Sequence, residues 1–144
     1  MRGSNLRLLS VAWPFILIIL VQTALATFSL QVTSSLRAYV SGESLWSKGQ
    51  RDAIYFLHSY LDNGEPEQLA RYRAAIAIPL GDRDARLALE ADPPDLAAAA
   101  AGYLQGGNHP DDIPGLTWLY RYFSWLPDMQ NSIQDWRVAD VGML

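Results

Sequence analysis

The residues of types that do chemistry fall in a few places along this chain. His109, Asp111 and Asp112 share one short stretch, and imidazole beside carboxylates is a metal-ligand vocabulary. The plainer reading is that Asp111 or Asp112 caps a helix beginning near Ile113. Glu43, Lys48, Arg51 and Asp52 lie within three turns of one helical stretch. The spacing of Lys48 and Asp52 permits an intrahelical ion pair. Alternatively, Arg37 or Arg51 could grip the carboxylate of a ligand held between helices. Asp82, Arg83, Asp84 and Arg86 read as a capped helix start with local ion pairs. Trp46, Trp118, Tyr122, Trp125 and Trp136 could cage a cation, although aromatics at helical spacing also serve as core bulk. The candidate ligand-binding set is therefore Arg37, Glu43, Trp46, Arg51, Asp111, Asp112 and Trp118. No metal site and no cofactor is read, and His58 reads as a solvated residue on a polar face.

Catalysis finds little support. There are two histidines and no cysteine, so a thiol nucleophile, a thiolate zinc site and a disulfide framework are all excluded. The sequence holds no G-x-S-x-G, H-E-x-x-H or phosphate-loop pattern. After position 36 the chain carries nine basic and fifteen acidic residues, a net charge of −6. Such a surface repels phosphate, which argues against nucleic acid as a partner.

What must position these residues is helix throughout. Leu8 to Leu30 contains no charged residue. At about 1.5 Å per residue it spans roughly 34 Å, enough to cross a hydrocarbon core of about 30 Å. Arg2 and Arg7 precede it and the next charge is Arg37, so the positive-inside rule places residues 1–7 in the cytoplasm and residues 34–144 outside, in the periplasm. The same start also resembles a secretory signal, with Ala24-Leu25-Ala26 as a cleavage site and Thr27 as the new N-terminus. Both readings export the domain. Apolarity running past Ala26 to Phe28 and Leu30 favours the uncleaved anchor.

Beyond Ser34 apolar residues recur at spacings of three and four: Leu36, Tyr39, Val40, Leu45, Trp46, Gly49, Ala53, Phe56, Leu57, Tyr60 and Leu61. They predict a stripe on one helix that continues from the membrane segment. Asp62-Asn63-Gly64 is a stop. Glu65-Pro66-Glu67 opens a second helix, expected to end at Ile78-Pro79, with a short helix then beginning at Gly81-Asp82. Asp92-Pro93-Pro94-Asp95 breaks the chain again. An alanine-rich helix follows to Gln105 and stops at Gly106-Gly107-Asn108. Ile113 to Leu126 and Met129 to Val138 supply two more. The predicted class is all-α: an N-terminal transmembrane helix over 8–30 continuing into a helical bundle.

Several blocks carry a resemblance. Arg37-Ala-Tyr-Val-Ser-Gly-Glu-Ser-Leu-Trp-Ser-Lys-Gly-Gln-Arg-Asp-Ala-Ile-Tyr55 resembles the first outer helix of a periplasmic sensor region. That region stands at the N-terminus of bacterial sensor histidine kinases and of diguanylate cyclases and phosphodiesterases. Ile78-Pro-Leu-Gly-Asp-Arg-Asp-Ala-Arg-Leu-Ala-Leu-Glu90, Gly106-Gly-Asn-His-Pro-Asp-Asp-Ile113 and Trp118-Leu-Tyr-Arg-Tyr-Phe123 extend the likeness in order over about residues 34 to 138. It implies a single-pass inner-membrane protein whose helical sensor-like domain responds to an unknown periplasmic ligand, working as a homodimer or with a signalling partner chain. Such proteins continue into a second span and a cytoplasmic output domain. This chain ends at Leu144 with no kinase histidine box, ATP-binding motif or cyclase motif. It reads as a non-catalytic input region lacking its own output. A helical scaffolding or binding domain, anchored or secreted, is the alternative.

Overall fold

In lipid a backbone can pair only with itself, so an uncharged segment as long as Leu8–Leu30 must be helical. The computed structural model describes residues 2–143, with side chains from Val11 to Gly142, and has that helix: α1 runs Arg2–Asn63. It contains a stretch long and apolar enough to cross a membrane. Phe15, Ile19, Leu25 and their large neighbours are exposed along it. The hydroxyls of Thr23, Thr27 and Thr33 donate to carbonyls four residues back, Ile19, Thr23 and Ser29, at 2.8, 2.9 and 2.9 Å. Inside the helix these polar groups therefore need no outside partner. Arg2 and Arg7, from which orientation is read, lie outside the residues whose side chains are described.

The chain divides into two units, Met1–Thr33 and Ser34–Leu144. The second contains the C-terminal half of α1 and four further helices: α2 Pro66–Glu90, α3 Leu96–Gln105, α4 Ile113–Phe123 and α5 Pro127–Met143. No strand occurs among the described residues.

The buried face of α1 in this unit is made of small residues. Ser35, Ala38, Gly49 and Ala53 are buried, whereas Leu36, Val40 and Leu61 are 47, 65 and 71% exposed. The expected stripe of large apolar side chains is thus only partly the contact face. At a close helix crossing, backbone proximity selects glycine, alanine and serine, and a periodicity weighted towards bulk looks past them.

The α2 helix does not end at Pro79, nor does a new one begin at Gly81; it runs unbroken from Pro66 to Glu90. A proline inside a helix withholds one N–H and crowds the carbonyl four residues back, here that of Ala75. Both the Ala75 carbonyl and the Pro79 ring lie against Gly49 of α1, where a Cβ would come within 3.1 Å of either. Pro79 is fully buried. Tertiary packing here overrides the local breaker. The contact between α2 and α3 is closer still. A Cβ on Gly102 would lie 2.5 Å from the Ala85 nitrogen, and one on Gly81 would lie 2.6 Å from the Gly106 nitrogen. These atoms are backbone and cannot step aside.

Caps define α3. The Asp95 carboxylate accepts from the Ala98 N–H at 2.9 Å, and the exit turn uses Gly107 at φ +80°, a conformation that favours glycine. Asp112 stands at the N-cap of α4 without a side-chain cap bond. Ile113, Leu116 and Leu119 of α4 and Ile133 of α5 complete the core.

Candidate functional site

Asp82 and Arg86 are four residues apart on α2, so both project from one face. That face looks onto a cavity of about 60 Å³ walled by all five helices. From α1 come Tyr39, Gly42, Glu43 and Trp46. Asp82, Arg83 and Arg86 of α2 face Tyr103 of α3 and the following Asn108. Leu116, Leu119 and Tyr120 of α4, with Met129, Trp136 and Asp140 of α5, close it.

Asp82 is held by its neighbours' smallness. Its Oδ1 lies 2.2 Å from where a Cβ on Gly106 would be, so the glycine leaves space for the carboxyl. Asn108 is buried and its amide donates to Asp82 Oδ1 at 3.0 Å and to the Tyr103 carbonyl at 3.1 Å. The amide oxygen of Asn108 in turn sits 3.0 Å from a Cβ position on Gly42. One asparagine thereby ties α1, α2 and the end of α3 together. Burial of Asp82 disfavours its charged form and outweighs the Asn108 bond, raising its pKa from 3.8 to about 7. Burial, with the nearby Asp82 charge, likewise pushes the Tyr103 phenol up.

A second polar cluster joins α2, α4 and α5. Arg86 is 6% exposed. Its guanidinium donates to both Glu90 oxygens at 3.2 Å and also to Asp140. Glu90 accepts in addition from the Tyr120 hydroxyl at 2.7 Å and from Arg137 at 3.0 Å. Burial pushes Glu90 upward, but Tyr120, Arg137 and Arg86 together outweigh it, and the carboxyl lies below its usual range. Burial and the bond to Glu90 raise the Tyr120 phenol. At the α1–α5 side, Tyr39 donates to Glu43 at 3.1 Å and its ring lies 6.0 Å from that of Trp136.

Of the candidate ligand-binding set, Glu43 and Trp46 line this cavity, and of the aromatic set Trp136 joins Trp46 there. Arg37 and Asp112 meet away from it, 3.7 Å apart, with Arg37 largely exposed. Arg51 is exposed on α1. Asp111 is exposed and its N–H donates to His109 Nδ1 at 3.2 Å. Trp118 stacks with Phe123 and Tyr122 at 5.0 and 6.1 Å between centroids. No group of three metal-ligating side chains occurs among the described residues. Asp82, Arg86 and Asn108 were not in the predicted set. Asp82 and Arg86, read as belonging to a helix start, lie in the C-terminal part of α2 instead. All three lie in the stretches Ile78–Glu90 and Gly106–Ile113, but no spacing within either stretch marks them as lining one cavity. Comparison with family models, curated proteins and solved structures gives no match.

Proposed function

We propose that this chain is a membrane-anchored sensory input module of bacterial signal transduction, its helical unit periplasmic and its cavity the ligand site. The observation that carries this reading is that all five helices contribute to one cavity, including α1, which also contains the candidate span. A ligand filling that cavity would contact several helices at once, and a difference in its affinity for alternative packings of them would shift their populations. The shift so selected is passed along α1 as a small translation or rotation. The basic flank at Arg2 and Arg7 supports a cytoplasmic N-terminus, and the sequence blocks around Asp82 and Asn108 support the signalling kinship.

The test is a thermal melt of the detergent-solubilised full chain against a panel of small envelope metabolites. Ligand at about a hundred times its Kd stabilises by about 2.7 kcal/mol, which raises the melting temperature by several degrees. At least one compound is expected to do so, and a Trp46→Leu variant to lose the shift. If no compound shifts the melt while a cross-linked protein partner is recovered, the chain is an anchored scaffold instead.

A further inference from the structure

We propose that the cavity binds a small organic cation, the ammonium group of a primary or quaternary amine, with Asp82 and Glu43 as its counter-charge. This rests on reading the cavity as the ligand site and adds the class of ligand.

The charges around the cavity do not cancel. Arg86 is engaged by Glu90 and Asp140. Arg83 is paired with Asp84 at 3.1 Å. Each lining guanidinium therefore has its carboxylate. Among the described residues Glu43 and Asp82 have no ion-pair partner; each is held only by a neutral donor, Tyr39 and Asn108 respectively. The unmet charge is negative. An anionic ligand would add a third carboxylate to two that already lack cations, and an apolar one would cover them without compensation.

The walls favour the same class. Tyr39, Trp46, Tyr103, Tyr120 and Trp136 come from four different helices, and aromatic faces attract ammonium groups through the ring quadrupole. At about 15 Å³ per water centre the volume accepts about four waters, comparable to an ammonium head with its substituents. Burial holds Asp82 at about pH 7, and an ammonium beside it would stabilise the ionised form. The other charged or titratable groups lining the cavity with Asp82 are Tyr39 and Glu43 of α1, Arg83 and Arg86 of α2, Tyr103 of α3, Tyr120 of α4 and Asp140 of α5. Binding should therefore tighten as pH rises and Asp82 ionises.

The experiment is a tryptophan-fluorescence titration of the full chain in detergent micelles, because Trp46 and Trp136 stand on the cavity wall. Choline chloride and putrescine dihydrochloride are compared with sodium chloride at equal ionic strength. A saturable response to an amine is expected, about tenfold tighter at pH 8 than at pH 6. Asp82→Asn should weaken it at least tenfold and flatten the pH dependence. If circular dichroism shows that variant misfolded, Glu43→Gln supplies the reading, with a several-fold loss expected. Amine responses indistinguishable from salt, or unchanged in the folded variants, would overturn the proposal. A saturable response to succinate in place of the amines would also overturn it, while leaving the cavity a ligand site.

Discussion

At the scale of single residues, the Asp82 carboxyl makes the sharpest claim. Its pKa is raised in the fold from 3.8 to about 7, so the folded state holds a proton that the unfolded chain has released. Stability from this group is therefore full below the unfolded value and falls as pH rises towards 7. With allowance for solvent screening, the loss between pH 5 and pH 8 is about 2 kcal/mol. Asp82→Asn should melt higher than the parent at pH 8, with the gap narrowing as pH is lowered to 5 and closing only towards the unfolded value of 3.8, measured on the full chain in detergent. Glu90 has the opposite sign. Its lowered pKa contributes stability above the ordinary glutamate range that is lost as pH falls through the folded value. Arg86 ties this cluster together. Arg86→Met leaves Asp140 and part of Glu90 without their cation and should cost about 3 kcal/mol, seen as a lower melting temperature at pH 7. Local spacing accounts for only the Arg83–Asp84 and Arg86–Glu90 pairs. Asp82-Arg83-Asp84 looks like a helix start because acids favour helix N-termini, whereas Asn108 reaches Asp82 and Asp140 reaches Arg86 from distant positions.

At the scale of elements, the sequence spoke clearly where a turn needs glycine, but not at the caps: Asp112, read as a possible cap of α4, makes no side-chain cap bond. Gly64 at φ +69° and Gly107 at φ +80° end α1 and α3 where glycine is the residue that fits, whereas Asp95, which does cap α3, reads as part of a chain break. The sequence misled at Pro79, where a helix end was expected and α2 runs on, because a breaker acts locally while the space that accommodates it belongs to Gly49 on another helix. The small-residue face of α1 was hidden for the same reason. A pair of glycine substitutions separates close packing from helix propensity. Gly102→Ala drives a methyl into the backbone of α2 and should cost about 2 kcal/mol or more. Nothing lies within 4 Å of a Cβ on Gly142. Gly142→Ala should therefore cost nothing, and its better helix propensity adds at most about 1 kcal/mol. Melting curves of the two variants beside the parent make the comparison.

At the scale of the whole molecule, two properties are readable in the sequence: an all-helical chain and a segment able to cross a membrane. Both follow from composition and period, which need no knowledge of distant contacts. The cavity does need such knowledge, since its lining is drawn from Tyr39 to Asp140. The proposed sensing role requires the helical unit to be held at the membrane and open to the outside, where a ligand can reach it. Because the chain has no cysteine, a single Tyr55→Cys, at a position 67% exposed, provides a unique thiol. Intact cells are treated with a membrane-impermeant maleimide and then fractionated. The account predicts labelling before lysis, with the labelled chain in the membrane fraction. Labelling only after permeabilisation, or a labelled chain in the soluble fraction with Thr27 at its N-terminus, would contradict it.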